Sequence, residues 1–337
     1  MSVTGAKEAR IGILDPLRFI AAMWVMFYHY LPFIKSEIGS ESFNFFKYGY
    51  LGVNFFFMLS GFVIMASAQN RSAIRFGLLR ALRLYPAFIA CLLITLIVLF
   101  FLKVPLPSVS AILLNGLIIN DYFGVPNVDN VYWTLQAELK FYACIFLVIF
   151  IGGIHHYKWW LSIWLVMAIC HHFIKQPFFM GWFISPTYSF YFIGGVASYL
   201  IFNDRKNKYA LGVFLVAMVF AMTKSWDQIN GFVSVVNHND RVFATLLTAT
   251  FFVFFILLRN LNKYFSSTRL MVMLGGMSYP LYLLHSRAGG SILKFLNESI
   301  GSVPSLIITI FTVLAVSLAV HVMVEKPLFR AVRHKVN

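Results

Sequence analysis

Gly49-Tyr50-Leu51-Gly52-Val53-Asn54-Phe55-Phe56-Phe57-Met58-Leu59-Ser60-Gly61-Phe62 carries no charged side chain. It opens one of a series of apolar runs, each long enough to cross a bilayer once tilt and short flanks are allowed. The others begin near residues 13, 85, 136, 159, 186, 209, 242, 270 and 303. An all-α, polytopic transmembrane bundle of about ten spans is the expectation. Ser108 to Asn120 is apolar but short, and reads as a re-entrant or interfacial segment.

Composition agrees. The 337 residues are 60% hydrophobic and 12% charged, with a mean hydropathy of +0.79. Soluble domains carry roughly twice that charged fraction, so lipid is the solvent for most of this chain. A net charge of +15 would suggest nucleic acid in a soluble protein. Here it suits loops that collect basic residues on the cytoplasmic side, and nucleic acid is set aside. With the N-terminus inside and spans alternating, Lys and Arg show a roughly two-to-one inside excess, which places both termini in the cytoplasm. Lys7 and Arg10 precede an apolar run, as in a signal peptide. No small-residue cleavage site follows, so that run is a retained first span. Cys91, Cys144 and Cys170 all lie in apolar stretches and give neither a disulfide framework nor a metal site.

Ionisable residues inside spans need a reason. Arg18 and His29 share the first span, about three turns and about 16 Å apart along one face. Each alone could snorkel to its nearer interface; together they favour a lined cavity. Glu138, near the outer end of the fourth span, could accept a hydrogen bond from the His29 imidazole and stabilise it when protonated. Its alternative is an interfacial carboxylate paired with Lys140 or a loop base. His285 falls near the outer surface and reads as lining on the acceptor side. Arg71, Arg75, Arg80 and Arg83 sit together in a short inner loop. Guanidinium forks suit a polyphosphate, and Arg80 and Arg83, three apart on a helix entering the third span, are the better ligands. Arg71 and Arg75 read as topology signals or contacts to anionic lipid. Gly52 and Gly61 permit close approach of a helix or of a narrow ligand, and Ser60 lies near mid-depth.

These residues resemble the acyltransferase-3 family of membrane acyltransferases. Leu14-Asp15-Pro16-Leu17-Arg18 leading to His29 is similar to its Arg-x10-His motif, and Phe55 to Gly61 to its Phe-rich Ser-Gly motif. Arg80-Ala81-Leu82-Arg83 with Tyr85-Pro86, Trp133 to Glu138 with Tyr142, Gly275 to His285, and Glu325-Lys326-Pro327 complete the set. Asn54 stands where that family often has an acidic residue.

The resemblance implies one transmembrane domain over residues 1–337, with no appended soluble domain. It implies transfer of an acyl group, acetyl first among candidates, from cytoplasmic acyl-CoA to a hydroxyl at the extracytoplasmic side. His29 and Glu138 would be catalytic, with His29 as general base or as a transient acyl carrier. Arg18, Arg80, Arg83, Ser60 and Gly61 would bind acyl-CoA. Tyr142, Ser278, Tyr282 and His285 would face the acceptor or the oxyanion. No cofactor is held permanently, and no metal. Partners are acyl-CoA, a glycan, lipid-linked sugar or small hydroxyl acceptor, membrane lipids, and a partner protein or second copy of the chain. The implied location is a bacterial inner membrane. A secondary transporter or flippase would also string Arg, His and Glu through its spans, but no paired repeats or matched broken spans are present.

Overall fold

The computed structural model describes residues 11–34 and 45–336. Lys7 and Arg10 lie outside them. All regular structure among the described residues is helical, as every backbone donor in lipid must be satisfied within its own segment. The long helices are α1 (Leu14–Tyr30), α2 (Leu51–Ala68), α3 (Ala73–Phe101), α4 (Trp133–Phe150), α5 (Tyr157–Ile174) and α6 (Ser189–Asn203). They continue with α7 (Lys208–Gln228), α8 (His238–Leu261), α9 (Arg269–Leu284), α10 (Gly290–Ile300), α11 (Ser302–Val320) and α12 (Lys326–Val336). Two π turns, His285–Gly289 and His321–Glu325, join α9 to α10 and α11 to α12 without a break.

A helix covers every apolar run read from the sequence. Among the described residues, six helical stretches are long and apolar enough to cross a membrane: Leu51–Ala68, Ala73–Phe101, Asn130–Phe150, Lys208–Gly231, His238–Tyr264 and Ser302–Ala331. α1 and α9 are shorter, and α6, with 15 residues, spans only about 22 Å of a core about 30 Å thick. Ser108–Asn120 holds a single short helix, Val109–Gly116. One boundary differs from the sequence reading. α3 starts at Ala73, so Arg75, Arg80 and Arg83 ride on its first turns rather than in a loop, with Ser72 Oγ capping the start.

α2 is the hub. Its 78% buried apolar window contrasts with 22% for Ser302–Ala331, so α2 is wrapped by protein while α11 and the start of α12 leave most of their surface uncovered. α2 and α6 touch backbone to backbone. A Cβ at Gly61 would collide with the carbonyl of Phe192, and one at Gly195 with the carbonyl of Met58. Small residues set such contacts where no hydrophobic effect drives helices together. Gly61 therefore serves helix packing, and it is not among the residues that line the chamber beside α2. Across α2, Phe57 meets Phe192 and Tyr188 at 4.8 Å, while Asn54, fully buried, donates to Tyr191 Oη at 2.9 Å. α9 packs along α1, and α4 along α3. The gap between these pairs and α2 holds the site.

Candidate active site

A cavity of about 770 Å³ opens between α1, α2, α3, α4 and α9. Five arginines line it (Arg18, Arg71, Arg75, Arg80, Arg83) against two carboxylates, Asp15 and Glu138. That excess of positive charge would attract an anion. Arg80 and Arg83 enter through the helical offset of three, one turn before Pro86. The Arg80 guanidinium lies over the rings of Phe76 and Tyr142, 5.7 and 5.8 Å from their centroids. Its Nε is buried and has no hydrogen-bond partner among the described residues. A buried donor without an acceptor is costly, and a phosphate oxygen would satisfy it. Arg83 is different, since it is ion-paired with Glu325 of the second π turn. Glu325 also accepts from His321 Nδ1 at 3.0 Å. Arg18 reaches back toward Asp15 at 3.9 Å.

Deeper in the same chamber, Glu138 Oε1 accepts from Ser60 Oγ at 2.7 Å and from Tyr142 Oη at 2.5 Å. Ser60 and Tyr142 come from α2 and α4, so the carboxylate ties those helices together. Both of its hydrogen-bonded partners were singled out in the sequence; their convergence was not. Two expectations for Glu138 are corrected. His29 makes its hydrogen bonds elsewhere, and Lys140 pairs with Asp121 at 2.9 Å instead. On α4, residues 134, 135, 138 and 142 share the chamber face, while Trp133, Gln136 and Lys140 face a separate groove of about 470 Å³.

His29 and His285 lie beyond the chamber wall. Tyr282 stands between, its ring 5.9 Å from Phe56 and 5.5 Å from His285. The two imidazoles meet edge to face at 5.0 Å between centroids, with His285 Nε2 3.3 Å from His29 Nδ1. His29 Nδ1 also lies 2.9 Å from the carbonyl of Val25. His285 is fully buried. The helix runs on past it through a π turn, where an α-helical reading ends the span. Ser278 Oγ donates to its own Gly275 carbonyl at 2.7 Å and is thereby committed within α9. Of the hydroxyls expected to face acceptor or oxyanion, Tyr282 is the one beside the histidine pair.

Sequence reasoning missed Glu325 and His321 as members of the site. The signal was available: a histidine and a glutamate four apart in an apolar helix form an i,i+4 pair that lipid would not tolerate unpartnered. Among the described residues, no three His, Cys, Asp or Glu side chains converge as a metal site.

An acyltransferase domain profile matches residues 11–323. The chain belongs to this acyltransferase-3 family. It is also similar to an acyltransferase, MdmB, of Streptomyces mycarofaciens, at 27% identity over 148 residues. That match covers 40% of this chain and 38% of the relative, so the chain spans well under half of the relative's length. No solved structure matches.

Proposed function

We propose that this chain is an integral-membrane O-acyltransferase of a bacterial inner membrane, folded as one domain of about ten spans with both termini cytoplasmic. It takes an acyl group, most simply acetyl, from cytoplasmic acyl-CoA and delivers it to a hydroxyl of a glycan, lipid-linked sugar or small molecule on the other side. The observation that carries the reading is the arginine-lined chamber ending at Tyr282 and the His29–His285 pair. Its volume lies within the roughly 300–1,000 Å³ of small-molecule sites.

In this reading Arg80, Arg83 and Arg18 hold the phosphates of the donor at the inner mouth. The pantetheine arm runs past Ser60, Glu138 and Tyr142, and the thioester passes Tyr282 to reach His29. His29 takes the proton of the acceptor hydroxyl as its oxygen bonds to the thioester carbonyl carbon. The C–S bond then breaks, and the departing thiolate takes that proton back from His29, leaving ester and free CoA. In this reading the Tyr282 hydroxyl, beside the histidine pair, donates to the oxyanion. Glu138 holds Ser60 and Tyr142 in the wall.

The test is incorporation of radiolabelled acetyl from acetyl-CoA by membranes from expressing cells. Wild type should label an acceptor, and His29→Ala should insert normally and label none. Labelling by His29→Ala at near the wild-type rate would remove His29 from the mechanism, and a wild type that consumes no acyl-CoA would point to transport instead.

A further inference from the structure

The histidine pair contains enough geometry to assign protons. His285 Nδ1 lies 2.7 Å from the carbonyl oxygen of Tyr282. A carbonyl can only accept, so this nitrogen bears a hydrogen. His285 is fully enclosed, and no carboxylate hydrogen-bonds to it among the described residues, so a second proton has nothing to balance it. Its Nε2 therefore keeps a lone pair. That lone pair faces His29 Nδ1 at 3.3 Å, and the Val25 carbonyl faces the same nitrogen at 2.9 Å. His29 Nδ1 thus meets two acceptors and no donor, an arrangement satisfied only when Nδ1 carries the proton.

We propose that His285 is a positioning residue that fixes His29 in its Nδ1–H tautomer and leaves His29 Nε2 as the basic nitrogen presented to the acceptor hydroxyl. This rests on the reading of His29 as general base. It gives to His285 the orienting role that the sequence suggested for Glu138.

The frame around His285 is built to hold it. Tyr30 Oη donates to the His285 carbonyl at 2.6 Å. Gly289 lies under that hydroxyl, where a Cβ would collide with it. From the opposite side the Asp129 carboxylate accepts from the backbone N–H of Arg287 at 2.6 Å and of Val131 at 3.2 Å. The π turn carrying His285 is thereby pinned to α1 and to the start of α4. Such turns cluster where a helix must aim a side chain that regular geometry would misdirect.

The experiment uses the full-length protein in detergent, with ¹⁵N-labelled histidine and the His29 ring signals identified by their loss in His29→Ala. Wild type should show His29 protonated at Nδ1 and bare at Nε2. His285→Gln, whose amide oxygen can accept at the former Nε2 position, should keep that pattern. His285→Phe, which accepts nothing, leaves the Val25 carbonyl as the remaining acceptor and should weaken the preference, so that some Nε2–H tautomer appears. In the membrane acetylation assay His285→Phe should lower kcat about tenfold, equal to about 1.4 kcal/mol, with the KM for acetyl-CoA unchanged. His285→Gln should recover to within about threefold of wild type.

A wild-type His29 protonated at Nε2 would overturn the assignment, and so would a His285→Phe protein whose tautomer and kcat match wild type. Because His285→Gln is read in parallel, a misfolded Phe variant leaves the test intact. If the tautomer result holds while His29→Ala still transfers acetyl, it is the general-base reading that fails and not the geometry.

Discussion

Replacing Arg80 by alanine removes the buried Nε donor that has no partner among the described residues, together with a guanidinium held over Phe76 and Tyr142. If that donor meets a donor-substrate phosphate, the loss is one charge-assisted hydrogen bond, about 1.5–3 kcal/mol. The arginine is only partly enclosed, so screening by water favours the lower end. The dissociation constant for acetyl-CoA should rise about tenfold, read by titration calorimetry on protein in detergent. Arg80→Lys keeps the charge without the fork and should fall between alanine and wild type. The neighbouring position sharpens the test, because Arg83 already has a partner in Glu325. A phosphate there competes with a carboxylate, so Glu325→Gln should tighten acetyl-CoA binding while lowering thermal stability. An Arg80→Ala protein that binds acetyl-CoA like wild type, or a Glu325→Gln protein that binds it more weakly, would refute placing the phosphates at this mouth.

Three further perturbations probe other parts of the argument. Ser60→Ala deletes one of the two hydrogen bonds that Glu138 Oε1 accepts from side chains and should cost about 1 kcal/mol of stability; an unchanged melting temperature would show that bond to be idle. Gly61→Ala puts a methyl against the Phe192 backbone, which has no flexible end to yield. The α2–α6 contact should open at a cost of about 1–3 kcal/mol or more, seen as a loss of monodisperse protein on size exclusion, and normal yield and melting would contradict the packing. The Asp129 carboxyl, in the segment before α4, is pushed above the usual carboxylate range by burial, with backbone N–H groups of Arg287 and Val131 partly offsetting that rise. The unfolded chain then loses this proton first, near 3.8, so the contribution to stability is full below that value. It is lost as pH rises through the higher folded pKa. Asp129→Asn should flatten that part of the melting-temperature profile, and an identical slope in both proteins would argue against it.

What could be read in advance follows from what lipid demands. Apolar run length locates helices because the bilayer leaves few alternatives, and each run does hold a helix. Arg18, Ser60, Arg80, Arg83, Glu138, Tyr142, Ser278 and Tyr282 all line the chamber, since an ionisable or polar group in a span is already an anomaly that asks for a cavity. Pairings were less legible. Glu138 was assigned to His29 on depth alone, yet which neighbour a carboxylate meets depends on helix rotation, and the α4 face holding residues 134, 138 and 142 turns it toward Ser60. Gly61 fitted ligand or helix equally well until α6 was placed against it.

The histidines resist sequence reading for a more specific reason. A period of 3.6 assumes an unbroken α-helix, and each π turn inserts a residue that rotates everything after it by about 100°. His285 and His321 both stand at the first position of a π turn. Both are paired with a group central to the site: His285 with His29, and His321 with Glu325, the partner of Arg83. The two ends of the proposed reaction path, phosphate mouth and proton acceptor, are thus each served by a local departure from α geometry. A helix that kept its period throughout could bury its apolar face equally well, but it would turn the residues after each histidine, Glu325 among them, toward other neighbours. The irregular turns thus add Glu325 and the frame around His285 to a site whose other members stand on regular spans.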